Sequence, residues 1–331
     1  MAVDARSTPE HRRLRVGETG RTKRPIHREL QCMGPQMMLE TKSHSRPVSQ
    51  AELRELLLAY RAENWKGIQT PEVQVQIAEV MLQPDAENVL NLVAQFWSIP
   101  PAARILDVGS GAGGFVVGCR QLGYQAFGVE PDRIGAGARL TSIQIAARRV
   151  LSNVFTSAVG EALPFPDDAF DLVTLNQVIE HVPDQLAVLR EAVRVLRPGG
   201  ALYVACPNYL RFYEPHYKVV WLPLLPKSLG RAYLRLRGRN PIMLRDLHYT
   251  TNHRLRIKLE QLGDEFEVLD FHQEQFNRKC AGQGEFASSW ARLLKKMIAF
   301  PRLGPVLRAL VLRWIRLREG GCEMLVLCRA K

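Results

Sequence analysis

The sequence predicts an α/β fold, a doubly wound and mostly parallel sheet of about seven strands, and three observations carry that prediction. From Arg104 onward, short apolar runs alternate with helical stretches: RILDVG, QAFGVE, SNVFTSA, FDLVTLN and ALYVACPN. Such alternation implies βαβ units, and therefore parallel strands with helices on both faces. The stretch ILDVGSGAGGF, residues 105–115, then places a run of glycines between the first strand and the helix after it. That is the edge of an open α/β sheet where ligands bind. Two later apolar runs, FEVLDFH and CEMLVLCRA, supply a sixth and a seventh strand.

Taken in order, the chain divides unevenly. Residues 1–48 are rich in Arg, Pro, Ser and Thr without an apolar period, which predicts a disordered basic tail. Residues 49–98 read as an N-terminal helical cover that opens at SQAELRELLLAY. There Ser49 can cap with Glu52 three residues on, and Leu53, Leu56, Leu57 and Tyr60 fall on one face. Residues 99–210 carry the five strands of the ligand-binding core. Residues 211–262 form an insertion, expected to act as a lid over an acceptor pocket, and residues 263–331 hold the last strands. A basic, amphipathic helical excursion over about residues 286–319 interrupts that final part.

Bulk properties set the bounds. The 331 residues are 46% hydrophobic, enough to fill a substantial core. The six cysteines are scattered without a CxxC pair, which fits a reduced, cytoplasmic protein. No stretch of about 18 uncharged apolar residues predicts a transmembrane helix.

The glycine loop is the first candidate site. Glycine permits backbone conformations closed to other residues and lets a ligand approach the main chain. Gly109, Gly111 and Gly114 also satisfy GxGxxG, so a dinucleotide site, and with it an NAD(P)-dependent oxidoreductase, stands as one reading. Both readings want an acid at the end of the second strand to take the ribose hydroxyls. Glu130, in GVEPD, lies at the expected separation of about 20 residues from the first glycine.

DVGSGAGGF, GVEPD, ALPFPDDAFDLVTLNQVIEHVPD and LRPGGALYVACPN, in this order and spacing, resemble the class I S-adenosylmethionine (SAM)-dependent methyltransferases. The resemblance spans about residues 100–210 and is nearest the small-molecule branch that includes ubiquinone-biosynthesis enzymes. It implies a Rossmann-like fold with the last strand antiparallel beside the fifth, and SAM as cofactor. It places Asp107 near the methionine ammonium, and the backbone of Gly109, Ser110, Gly111 and Gly113 beneath the methionine and ribose. Glu130 would take the ribose hydroxyls, Val159, Gly160 and Glu161 would border the adenine, and Asn176 and Gln177 would flank the sulfonium. The branch often has an Asp where this chain has Val159, so main-chain contacts to adenine are expected there instead.

Methyl transfer to oxygen also needs the acceptor's proton removed, for which a histidine suits. His181, in VIEHVPD, stands just past the fourth strand, with Glu180 read equally as a solvated helix carboxylate. His216 lies in the insertion among Tyr209, Tyr213, Tyr217 and Trp221, aromatics that could line an acceptor pocket or pack on the core. His248 and Tyr249 are placed similarly before the next helix. No metal-ligand spacing appears among the eight histidines, so no metal is expected.

The net charge of +12 points to an anionic partner. The insertion contributes Lys218, Lys227, Arg231, Arg235, Arg237 and Arg239, and the later excursion interleaves arginines with Trp290, Trp314 and leucines. Cationic, aromatic and apolar residues together suit a helix in an anionic membrane interface, so peripheral membrane docking and a lipid-linked acceptor are weighed beside a soluble one. A catalytically silent SAM-binding module that docks on membrane is a third reading. A nucleic-acid substrate is disfavoured, because no recognised module is present and NQVIEH stands where base-amino methyltransferases carry Asn/Asp-Pro-Pro-Tyr. The expected function is SAM-dependent methylation of a small or lipid-linked acceptor, at oxygen.

Overall fold

A computed structural model describes residues 47–83, 86–131, 141–150, 153–263, 266–271, 274, 310 and 322–328. Nearly all of the expected basic tail and, apart from Leu310, the basic excursion at 286–319 lie outside the described residues.

Three helices open the described chain: α1 (Gln50–Asn64), α2 (Pro71–Leu82) and α3 (Glu87–Ala94). The Ser49–Glu52 capping box is present, with the Glu52 N–H donating to Ser49 Oγ at 3.2 Å and the Ser49 N–H to the Glu52 carboxylate at 2.7 Å. Thr70 caps α2 and Pro71 occupies its first turn, where a missing N–H costs nothing. Leu53 and Leu57 of α1 pack with Ala78 and Leu82 of α2, as the apolar spacing requires.

The core then alternates strand and helix: β1 (Arg104–Val108), α4 (Gly114–Gln121), β2 (Gln125–Glu130), α5 (Ser142–Arg149), β3 (Phe155–Ser157), β4 (Phe170–Asn176), α6 (Gln185–Arg194) and β5 (Leu196–Cys206). β1 to β5 are mutually parallel. β1 and β4 are almost wholly buried, which is why they read as continuous apolar runs rather than alternating ones. Further on come β8 (Phe266–Asp270) and β9 (Cys322–Cys328), and the sheet runs β3-β2-β1-β4-β5-β9-β8 with β9 antiparallel to both neighbours.

Chain order reverses between β1 and β4, and a crevice opens at the carboxyl ends of strands at such a reversal. Asp107 and Thr174 pair across that boundary. Both candidate sites are built on this edge.

The segment between β5 and β8 holds a small two-stranded sheet of β6 (Tyr213–Glu214) and β7 (Val219–Val220), then α7 (Lys227–Leu236), a 3-10 turn over Ile242–Arg245, and α8 (Asn252–Glu260). It has an apolar centre of its own, in which Tyr217, Val219, Trp221, Leu234, Leu244 and Leu247 pack with Ile68. Among the described residues no helix is long and apolar enough to cross a membrane.

Candidate functional site

The glycine loop is a geometric necessity at three positions. Gly109, Gly111 and Gly113 all have left-handed φ, at 76°, 51° and 78°. A Cβ at Gly109 would stand 2.4 Å from Val178, and one at Gly113 would stand 2.6 Å from Phe155, so those two glycines serve close packing as well as the turn. Among the described residues, a Cβ at Gly111 would meet nothing within 4 Å. Gly111 is therefore where the loop offers bare backbone to open space.

Two carboxylates flank this loop. Asp107 is buried and accepts a 2.7 Å hydrogen bond from Thr174 Oγ1, its partner on β4. Burial pushes its carboxyl up to about 7, opposed by the Thr174 bond and assisted by the charge of Glu130. Glu130, at the end of β2, accepts from the Gly111 N–H at 3.1 Å and from the Ser142 hydroxyl at 2.9 Å. The buried Ser110 Oγ has no hydrogen-bond partner. A polar, amine-bearing and diol-bearing ligand fits this set: a buried carboxylate for an ammonium, an acceptor carboxylate for hydroxyls, and bare backbone between them.

The other predicted contacts divide. Asn176 and Gln177 are exposed at the carboxyl end of β4. Gln177 holds φ 61°, a conformation costly for a non-glycine residue, and its N–H donates to the Ala205 carbonyl at 2.7 Å. Gly160 is buried, and a Cβ there would press on Val188 and Val108 at 3.2–3.3 Å, so its missing side chain is explained by core packing. Val159 and Glu161 flank it half-buried.

Past β4 the chain builds a second constellation. His181 and His216 are 35 residues apart, yet their Nε2 atoms are 3.2 Å apart, with rings nearly perpendicular. Glu180 Oε1 lies 3.8 Å from His181 Nε2 and 3.9 Å from His216 Nε2. His216 Nδ1 bonds Glu214 Oε1 at 2.8 Å, and Glu214 in turn accepts from the Tyr217 N–H at 2.7 Å and the Tyr209 hydroxyl at 3.4 Å. The His248 N–H donates to the Glu180 carbonyl at 2.7 Å and fixes the turn that carries Glu180 and His181.

Glu180 is fully buried in a turn, so it is not the solvated helix carboxylate that the sequence allowed. Among the described residues, none donates a hydrogen bond to either of its carboxylate oxygens from outside Glu180 itself. Burial raises its carboxyl to about 7, against its own backbone N–H and the pull of His216. Burial, then His216 and His248, lower His181 to about 4, which keeps it neutral at pH 7.

Of the two readings open for the insertion's aromatics, burial favours packing in a core. Tyr217 and Trp221 do not line an acceptor pocket; they are buried in the insertion's own centre, where the Tyr217 hydroxyl accepts from the Leu244 N–H. Tyr209 is equally buried, stacked on Tyr249 at 4.6 Å. Chain spacing shows no metal-type grouping, yet among the described residues ligand atoms of Glu180, His181 and His216 all lie within 4.8 Å of one another. Spacing along the chain hid this, since the third member comes from a different element. Thr174, Ser142 and Glu214 were missed as well. Glu214, two residues before His216, was the one with a local signal.

The family described as Methyltransferase domain matches residues 106–204. An uncharacterized methyltransferase of Mycobacterium leprae (strain Br4923) is 35% identical over 139 residues, 40% of this chain and 49% of its own length. An uncharacterized methyltransferase of Mycobacterium sp. (strain KMS) is 30% identical over 163 residues, 47% of this chain and 61% of its own length. The chain thus spans 49–61% of the curated relatives it matches. Among solved structures, phosphoethanolamine N-methyltransferase 2 of Haemonchus contortus in complex with SAM aligns over 86% of this chain and 60% of its own, at 17% identity and TM-score 0.45. That likeness is too slight to carry a residue or a substrate across.

Proposed function

We propose, from a SAM-dependent methyltransferase domain at residues 106–204, that the whole chain transfers the SAM methyl group to an oxygen of a small or lipid-linked acceptor. The observation that carries this reading is the loop after β1. Bare backbone at Gly111 lies between Asp107 and Glu130, each placed for one end of SAM. Asp107 pairs with the methionine ammonium and Glu130 takes the ribose diol, while Asn176 and Gln177 border the sulfonium from the end of β4. The acceptor class follows the resemblance to the small-molecule branch, and the domain gives no support to a hydride-transfer reading.

The reaction is an in-line displacement. An acceptor lone pair forms the new O–CH3 bond as the C–S bond breaks; its electrons stay on sulfur, and the sulfonium leaves as the neutral thioether S-adenosylhomocysteine. The hydroxyl proton leaves the acceptor, and alignment of the two partners supplies much of the rate. Glu180 and His181 follow the same strand end as Asn176 and Gln177 and meet His216 of the insertion there, so this constellation is the group set we assign to that proton.

The test is incubation with methyl-labelled SAM and cell extract, followed by partition between organic and aqueous phases. Label in the organic phase supports a lipid-linked acceptor, and gives the cations of α7 an anionic surface to meet. Label in the aqueous phase assigns a soluble acceptor. Label recovered only in intact SAM, with SAM binding demonstrated, overturns the transferase reading.

A further inference from the structure

We propose that Glu180, His181 and His216 form a binding site for a first-row divalent transition metal, of which zinc suits the donors best. One carboxylate and two imidazoles are the ligand set of many catalytic zinc sites, which keep a further position open. With metal–nitrogen and metal–oxygen distances of about 2.0–2.2 Å, neighbouring ligands of a tetrahedral ion stand about 3.3–3.6 Å apart. The three donor separations here are 3.2, 3.8 and 3.9 Å. Shifts of a few tenths of an ångström would seat an ion among them.

The surroundings point the same way. A buried carboxylate to which no other side chain donates is costly, and among the described residues neither oxygen of Glu180 receives a hydrogen bond from another residue. A hydrogen bond between the two imidazoles would satisfy the histidines and still leave Glu180 alone. A cation satisfies all three. Glu214 holds His216 Nδ1 at 2.8 Å, which places the Nδ1 hydrogen on the Glu214 side and leaves the Nε2 lone pair facing the centre. Metal-bound histidines are fixed by such outer carboxylates, and Glu214 is itself pinned by the Tyr217 N–H and the Tyr209 hydroxyl. The side chain of His181 is 38% exposed, so the constellation has an entry path and room for a further ligand.

This inference rests in part on the transferase reading, because that reading supplies the ligand for the open position: the acceptor oxygen. A bound cation lowers the pKa of an oxygen it holds, so the hydroxyl gives up its proton to water and attacks as an oxyanion. His181 and His216 then act as ligands rather than as bases.

The experiment is a titration of chelator-stripped full-length protein with Co2+, read by the visible absorption of tetrahedral cobalt and reversed by Zn2+. One Co2+ per chain is expected. Glu180→Gln and His181→Ala should each weaken binding more than tenfold, and Glu214→Gln about tenfold to a hundredfold. His253→Ala, on the exposed face of α8, should bind as the parent does. Far-UV circular dichroism reports folding of each variant, and SAM affinity measured on the same stripped samples tests the transferase reading separately. Absence of stoichiometric cobalt binding in protein that binds SAM overturns the metal site and leaves that reading standing. Cobalt binding unchanged in both Glu180→Gln and His181→Ala overturns it too. Cobalt binding lost in those variants, in protein with no affinity for SAM, upholds the site and removes the transferase reading instead.

Discussion

The two constellations at the carboxyl edge of the sheet are built in opposite ways. Around Asp107 and Glu130 the geometry is local: one strand, one turn with left-handed glycines, one helix, and the end of the neighbouring strand in parallel register. Around Glu180 it is assembled from distant pieces, a turn after β4 and the β6 segment, joined across 35 residues by two imidazoles. The first is dictated by backbone requirements that any sequence making this turn must meet. The second depends on how the insertion packs, and the insertion has its own apolar centre. One region is specified by main-chain conformation, the other by side-chain burial, so they should fail independently.

The largest expected effect separates them outright. Trp221 is buried beneath α7, and a Cβ on Gly230 would already stand 2.7 Å from its ring. Trp221→Ala should cost about 3–5 kcal/mol of unfolding free energy. It should also disturb the histidine pair while leaving SAM affinity close to the parent's, since among the described residues that cluster includes none of the glycine loop. Denaturant unfolding and SAM titration of the same variant check both halves. A parallel fall in SAM affinity would show that the two regions are one unit.

Gly113→Ala tests the other side. The residue holds φ 78° and a Cβ would meet both Phe155 and Ala146 inside 3 Å, so left-handed strain and overpacking add to about 2–4 kcal/mol. Here stability and SAM affinity should fall together. If affinity is retained, the loop is only a turn and the ligand lies elsewhere.

That contrast also explains what was legible. Asp107, the glycines and Glu130 could be found because a tight strand–turn–helix leaves a compositional trace, and the parallel strands because burial on both faces forces continuous apolar runs. The Ser49 capping box was readable for the same local reason. His181 and His216 were each singled out, but their meeting was not, because nothing in chain spacing records a contact made through the insertion. Both readings of Glu180 stay open in the sequence because a glutamate beside a helix start is ordinarily solvated, whereas here the turn bonded to His248 turns it inward. Tyr217 and Trp221 were ambiguous for a related reason: an aromatic residue near a ligand edge looks the same whether it lines a pocket or fills a core.

A smaller effect sharpens the local site. Glu130→Ala removes the acceptor held by Gly111 and Ser142 and should weaken SAM binding more than tenfold, about 1.4 kcal/mol or more. Isothermal titration checks it, and Glu130→Gln should recover part of the loss if hydrogen bonding rather than charge matters. Near-parental affinity in Glu130→Ala would detach the ribose from this residue.

The last prediction concerns the proton on Asp107. Its carboxyl is raised by burial to about 7 from an ordinary value of 3.8, so the ligand-free fold binds a proton that the unfolded chain has lost. The sign follows: ionising Asp107 costs the free protein stability, a cost that grows as pH rises from about 4 to about 7 and is constant above. An ammonium beside the carboxylate favours its charged form and offsets that cost. SAM binding should therefore release a proton below pH 7, where the SAM ammonium itself stays charged, and its affinity should fall by about fivefold between pH 7 and pH 6. Calorimetry in two buffers of different ionisation enthalpy measures the released proton directly. Asp107→Asn should flatten the profile and remove the proton release. A proton taken up on binding, or an affinity indifferent to pH in this window, would mean that the ammonium lies away from Asp107 and that the buried carboxylate serves only its bond to Thr174.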